Sequence, residues 1–264
     1  MVGLLKFLGM LTANTIKTIR ALQQKKHRKL SGLFVAEGHR LVCDLLTSPL
    51  RLETIYHTNN WQPDRCSSDN RFIEISPKDM SRISGLSTPT PVLAIVHIPA
   101  HQIEIKHLDG TLALALDNIQ DPGNMGTIIR LADWFGIKHI ICSHNTADAF
   151  APKVVQSTMG AIARVSILYT NLAQYLEAAK DAGITIYGTF LDGENIYTQH
   201  LNSAGIIVLG NEGNGISNEV EKLVNSRITI PHFCDDENTS ESLNVAMATA
   251  IVCSEFRSRS IKRS

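Results

Sequence analysis

Apolar and polar positions alternate along this chain in two blocks, each reading as strands interleaved with helices. Residues 14–30 read as one helix, with Asn14 as its N-cap and Ile16, Ile19, Leu22 and Leu30 near one face. "LFVAEG" then reads as strand and turn, "HRLVCDLL" as helix, and "LETIYHT" and "RFIEI" as strands. "SPKDMSRIS" reads as a helix with proline at its start, and "PVLAIVHI" as a strand. This alternation predicts a small α/β unit with mixed or parallel pairing.

Residues 98–110, "IPAHQIEIKHLDG", break the pattern with Pro, Gly and charge. The predicted organisation is an N-terminal domain over 10–100, a linker over 101–110 and a second α/β domain over 111–264. In the second block strands are expected at 111–117, 138–142, 165–168, 184–188, 206–209 and 227–230. Helices are expected at 125–136, 152–160, 171–182, 217–224 and 242–258. The strands "LALAL" and "IIVLG" are apolar throughout, as in sheets covered by helices on both faces.

Composition changes this picture little. With 44% hydrophobic and 19% charged residues the chain is an ordinary globular one, and its formal net charge is +0. No global field draws it to nucleic acid or membrane, so a polyanion must be met by a local patch. Such a patch is visible. Lys6, Lys17, Arg20, Lys25, Lys26, Arg28 and Lys29 stand in a stretch without Asp or Glu, and the tail "RSRSIKRS" adds more positive charge. Lys25, Lys26, Arg28 and Lys29 are the predicted phosphate contacts. The cysteines Cys43, Cys66, Cys142, Cys234 and Cys253 are far apart and form no CxxC pair, which predicts reduced core thiols and no metal site. The start "MVGLLKFLGM" is too short to span a bilayer and lacks a charged leader. Residues 1–9 read as an extension ahead of a natural beginning at Met10, and a cytoplasmic protein is expected.

Candidate chemistry lies in three loops. "DNIQDPGN" (117–124), "LGNEGNGIS" (209–217) and "IPHFCDDENTSESLNVAMA" (230–248) each leave the carboxyl end of a strand, where open parallel sheets bind ligands. Each alone reads as a turn or a helix cap; three at corresponding strand ends point to a site. The first strand of this block is not followed by a Gly-x-Gly-x-x-Gly turn, and Gly210, Gly213 and Gly215 come late and in other spacing. That disfavours a dinucleotide-binding oxidoreductase or an ordinary Rossmann methyltransferase.

"DPGNMGTIIRLADWFGI", "IVLGNEGNGIS" and "ITIP…SLNVAMA" resemble, in order and approximate spacing, the three signature motifs of the SpoU (TrmH-like) family of SPOUT methyltransferases. "KHRKLSGLFVAEGHRLVCDLL" resembles the small RNA-binding domain that precedes the catalytic domain in ribosomal-RNA members. The resemblance implies S-adenosylmethionine-dependent methylation of a ribose 2′-hydroxyl in RNA, by a homodimer whose C-terminal domain carries a deep trefoil knot. It implies catalytic roles for Asn124, Arg130, Glu212, Ser242 and Asn244. Gly210, Ile230 and Leu243 match positions whose backbone holds the cofactor, with Leu209 and Thr189 as further lining. Arg130 is expected to act either as the base or as a clamp on phosphate and oxyanion. Glu212 is expected to balance the sulfonium charge or, the favoured reading, to be buried and anchor its loop through backbone amides, and Asn244 to cap a helix or serve the site. The stretch "HFCDDENTSE" departs from the family in being longer and more acidic. The N-terminal domain favours 23S ribosomal RNA as substrate; transfer RNA, or non-catalytic RNA binding in ribosome assembly, are the alternatives.

Overall fold

The computed structural model describes residues 11–64, 72–100, 102–233 and 242–260. They form two compact units. The first comprises the described residues up to Ala100 together with Asp148–Arg164; the second comprises those of His101–Ala147 and Val165–Ser264.

The first unit holds helices α1 (Ala13–Ala21), α2 (Lys25–Ser31), α3 (His39–Leu46) and α4 (Pro77–Ile83). Its strands are β1 (Leu33–Glu37), β2 (Leu52–His57), β3 (Phe72–Glu74) and β4 (Val92–His97), in the order β1-β4-β2-β3. β4 pairs antiparallel with β1 and β2, and β3 joins β2 in parallel, so the sheet is mixed. The single helix expected over 14–30 is two. The carbonyl of Leu22 accepts from Arg28 Nη1 at 2.7 Å, so the first helix does not continue through it. Thr12, not Asn14, is the cap, its hydroxyl accepting from the Thr15 amide at 3.1 Å. Ile16, Ile19 and Leu22 are buried as expected, but Leu30 is 75% exposed.

Asp148–Arg164 belongs with this unit, although the hydrophobic pattern places it in the second domain. Its helix Pro152–Ser157 packs on β1, and Phe150 meets Phe34 with ring centroids 5.1 Å apart. Arg28, buried on α2, is held by Asp148 Oδ2 through Nε (3.1 Å) and Nη2 (2.7 Å).

The second unit runs β5 (Leu112–Leu116), α5 (Pro122–Trp134), β6 (His139–Ser143), β7 (Ser166–Thr170), α7 (Leu172–Asp181), β8 (Ile186–Asn195), β9 (Gly205–Leu209), α8 (Asn218–Glu221), β10 (Ser226–Thr229) and α9 (Val245–Ser260), the helix Pro152–Ser157 being α6. Its sheet has the order β10-β8-β9-β5-β6-β7, with every pair parallel. β5 and β9 are buried along their whole lengths, which accounts for their unbroken apolar sequence. The expected linker is not free chain. Ile103 and Leu108 are buried in this unit's core, and Tyr175 donates its hydroxyl to the Ile103 carbonyl at 2.8 Å.

α5 is framed by local chemistry. Asp121 caps it, Pro122 opens it, and Gly136 ends it at φ 66° while the Ile137 amide reaches back to the Ala132 carbonyl at 2.8 Å. α9 lies parallel to α5, with Asn244 beside Asn124 at one end and Arg257 Nε donating to the Phe135 carbonyl (2.7 Å) at the other. No helix among the described residues is long and apolar enough to cross a membrane.

Candidate active site

From β5 the chain builds outward through β6 and β7 on one side, and through β9, β8 and β10 on the other. The carboxyl ends of β5 and β9, at the partners Leu116 and Leu209, therefore form the switch point at which parallel sheets bind ligands. The loops leaving these two strands are laced together. The Asp117 amide donates to the Leu209 carbonyl at 2.9 Å, and the buried Asp117 carboxylate accepts from the Ser217 amide at 2.8 Å. Asn118 sits at φ 58°, a strained conformation for a residue with a side chain. It is held there by its amide on Ser143 Oγ (2.9 Å) and by Asn211 Nδ2 on its carbonyl (2.8 Å).

On this frame three of the predicted catalytic residues meet. Asn124 is the third residue of α5, inside the helix rather than at the end of the loop, and its amide is fixed on the Asp121 cap at 2.7 Å. Asn124 Nδ2 donates to Glu212 Oε1 at 2.6 Å. Asn244 Nδ2 donates to Asn124 Oδ1 at 3.0 Å. Asn244 Oδ1 also accepts from the Ala246 amide (3.0 Å), so it caps α9 and serves the site at once. The chain Asn244–Asn124–Glu212 leaves the carboxylate oriented and exposed. This corrects the expectation for Glu212, which is neither buried nor tied to backbone amides. The Gly213 and Asn214 amides go to Asn211 Oδ1 at 3.0 Å, so Asn211 anchors the loop. In a loop that reads as a turn or a helix cap, an asparagine beside glycines carries no local sign of that role. Arg130 and Ser242 are exposed and make no side-chain hydrogen bond or ion pair among the described residues.

The expected cofactor positions lie at three loop entries of this unit. The backbone groups of Gly210 and Leu243 and the Ile230 amide have no hydrogen-bond partner among the described residues, so they are free to bind the edge of a ligand. Leu209 is buried at the end of β9, and Thr189 Oγ1 donates to the Val208 carbonyl at 3.1 Å, so both shape the strand ends. Gly210 admits no side chain. A Cβ there would lie 2.3 Å from the Gly215 carbonyl carbon and 2.4 Å from the Ile216 nitrogen, both backbone atoms. Gly210→Ala is expected to cost about 1–3 kcal/mol of stability, read as a lower midpoint in urea. The acidic stretch 234–241 lies outside the described residues.

Of the predicted phosphate contacts, Lys25, Lys26 and Lys29 are exposed on α2 and form no ion pair among the described residues. Arg28 is not one of them. It is 3% exposed and its guanidinium is consumed by Asp148 and the Leu22 carbonyl. Helical periodicity turned one cation of the run inward. Among the described cysteines, burial pushes the Cys142 thiol up and the Cys253 thiol up to about 12, so both stay protonated. Cys66 and Cys234 lie outside the described residues. Cys43, His39 and Asp64 stand together on the first unit, their Sγ, ring nitrogen and carboxylate oxygen within 4.8 Å of one another. The Trp61 indole N–H donates to His39 Nδ1 at 3.0 Å, which puts the imidazole proton on Nε2, facing Asp64 at 3.5 Å. The ring is thus engaged on both nitrogens.

Residues 111–254, more than half the chain, match the SpoU rRNA methylase family. The chain belongs to this family. Residues 13–94 match the MRM3-like substrate-binding domain. Among the relatives of this SpoU protein, the 23S rRNA (guanosine(2553)-2′-O)-methyltransferase RlmP of Bacillus subtilis (strain 168) is 30% identical over 92% of this chain and 95% of its own. A TrmH-family protein from Porphyromonas gingivalis superposes with a TM-score of 0.85 at 41% identity, covering 95% of this chain and 100% of that one. An AdoMet-bound rRNA methyltransferase from Sinorhizobium meliloti gives 0.81 at 30% identity over 95% and 96%. The mixed α/β first unit and parallel second sheet are those of the SpoU structures.

Proposed function

We propose that this SpoU protein transfers the methyl group of S-adenosylmethionine to a ribose 2′-hydroxyl of 23S ribosomal RNA, acting in the cytoplasm as a homodimer. The observation that carries the reading is the hydrogen-bonded series Asn244–Asn124–Glu212, one residue from each of the three motifs. S-adenosylmethionine brings a methyl already activated on a sulfonium, and the backbone groups of Gly210 and Leu243 and the Ile230 amide, without partners among the described residues, suit its adenosine edge. What remains is to remove a proton from a weakly acidic hydroxyl. Asn124 occupies one oxygen of Glu212 and leaves the other to accept that proton. A guanidinium stays protonated in proteins, so Arg130 acts as a clamp on the adjoining phosphate and steadies the developing oxyanion. Ser242, exposed at the entry to α9, faces substrate in this reading.

The substrate choice is supported by the name of the B. subtilis relative and by the match of the first unit to a substrate-binding domain. Label from methyl-labelled S-adenosylmethionine is expected in unmodified large-subunit RNA and not in unmodified transfer RNA. Label in transfer RNA alone would overturn the substrate. RNA binding with no label in either would leave a non-catalytic assembly protein.

Two further outcomes follow from surfaces. Replacing Lys25, Lys26 and Lys29 with alanine is expected to weaken RNA binding and flatten its logarithmic salt dependence by about 2, at about 0.7 per single-strand phosphate released. An unchanged slope in filter binding at varied salt would remove these lysines from the interface. Dimerisation is supported by Trp134 on α5 (83% exposed) and by Leu243 and Met247 at the start of α9, apolar groups that a monomer would leave in water. Trp134→Glu with Met247→Glu is expected to sediment as a monomer.

A further inference from the structure

The switch point opens into a cavity of about 270 Å³. Its walls come from the loops after β5, β6 and β9, and its lining includes Asn118, Gln120, Asn145, Asn211 and Asn214. Among the described residues, no charged and no large apolar side chain lines it. Of these amides, Asn211 is spent on its own loop and on Asn118. The side-chain amides of Asn118, Gln120, Asn145 and Asn214 have no partner among the described residues.

We infer that this cavity receives the base of the target nucleotide, extruded from the RNA and read along its edge by these four amides. The inference rests on the RNA-methylating reading of the site and names its substrate contact. Each free amide offers two donors and one acceptor, the complement of a neutral base edge. A phosphate would call for cations, which the lining lacks. Sequence-specific RNA recognition works on unstacked bases through such hydrogen bonds. The position is right for it. Gln120 is next to the Asp121 cap of α5, and Asn211 and Asn214 bracket Glu212 in the chain, so a base seated here carries its ribose toward the Asn124–Glu212 pair. The strained Asn118 backbone is locked before substrate arrives, so the wall is preorganised.

The full-length protein, ¹⁵N-labelled at asparagine and glutamine, would be titrated with the four nucleoside 5′-monophosphates and with ribose 5-phosphate. Side-chain amide signals of Asn118, Gln120, Asn145 and Asn214 are expected to move with nucleotides, more for one base than the others, and not with ribose 5-phosphate. Gln120→Leu with Asn145→Leu is expected to abolish those shifts and to lower kcat/KM on unmodified ribosomal RNA about tenfold or more, with S-adenosylmethionine affinity unchanged. Silence of these amides with every nucleotide, or equal shifts with ribose 5-phosphate, would overturn the inference. The titration does not depend on methyl transfer. Base-dependent shifts without any methylation of RNA would leave the base pocket standing and remove the proposed reaction.

Discussion

Asn124→Asp is expected to lower kcat for RNA methylation about a hundred- to ten-thousandfold, the range for losing a positioned proton acceptor, while leaving S-adenosylmethionine binding intact. The substitution keeps the size of the side chain and the acceptor facing Asn244. It replaces the Nδ2 donor, 2.6 Å from Glu212 Oε1, with an anionic oxygen. Two carboxylates at that distance repel, so one takes up a proton or Glu212 swings away. Either event removes the oriented base. Glu212→Ala is expected to match it, since both changes disable one unit and do not add. Glu212 is exposed and Asn124 half-buried, so thermal stability should shift little. Steady-state kinetics with unmodified ribosomal RNA, alongside calorimetric titration of the cofactor, checks this. A loss confined to KM would mean that the pair binds RNA without taking part in proton removal.

Asp148→Ala is expected to destabilise the first unit by about 3–5 kcal/mol, the range for breaking a buried ion pair from one side. Arg28 is 3% exposed, and its Nε and Nη2 rest on a single oxygen of Asp148, whose side chain is 16% exposed. Removing the carboxylate leaves a guanidinium out of water with only the Leu22 carbonyl at 2.7 Å. The double replacement Arg28→Met with Asp148→Leu is expected to recover most of the loss, because no buried charge remains. Urea unfolding of the single and double variants gives both numbers. An equal loss in both would assign the effect to packing instead of charge.

Much of the fold was legible because periodicity carries it. "LALAL" and the apolar part of "IIVLG" read as buried strands, and Leu112–Leu116 and Gly205–Leu209 are. What escaped was set by contacts between distant residues. No local pattern tells that Asp148 pairs with Arg28, 120 positions away, so the membership of Asp148–Arg164 in the first unit was hidden, and with it the burial of Arg28. The break at Leu22 was hidden for the same reason, because the Arg28 guanidinium takes its carbonyl. β8 runs from Ile186 to Asn195, well past its expected end at 188, and pairs there with β10 across a shift of register at Arg227/Ile228 that no local pattern shows. In the site, the motif resemblance singled out Asn124, Glu212 and Asn244, and the structure brings them together. It assigns no role to Asn211, whose anchoring of the loop comes from contacts the motif does not display. Asn145 stands in a loop with no motif at all, and only the sheet order brings it to the cavity.

The most direct test is the chemical position of the transferred methyl. Unmodified 23S ribosomal RNA would be incubated with methyl-labelled S-adenosylmethionine and the protein or its Glu212→Ala variant, then hydrolysed in alkali. The account predicts label in an alkali-resistant dinucleotide, the mark of a 2′-O-methyl group, and its loss with the variant. Label released in mononucleotides, or undiminished label with Glu212→Ala, would contradict it.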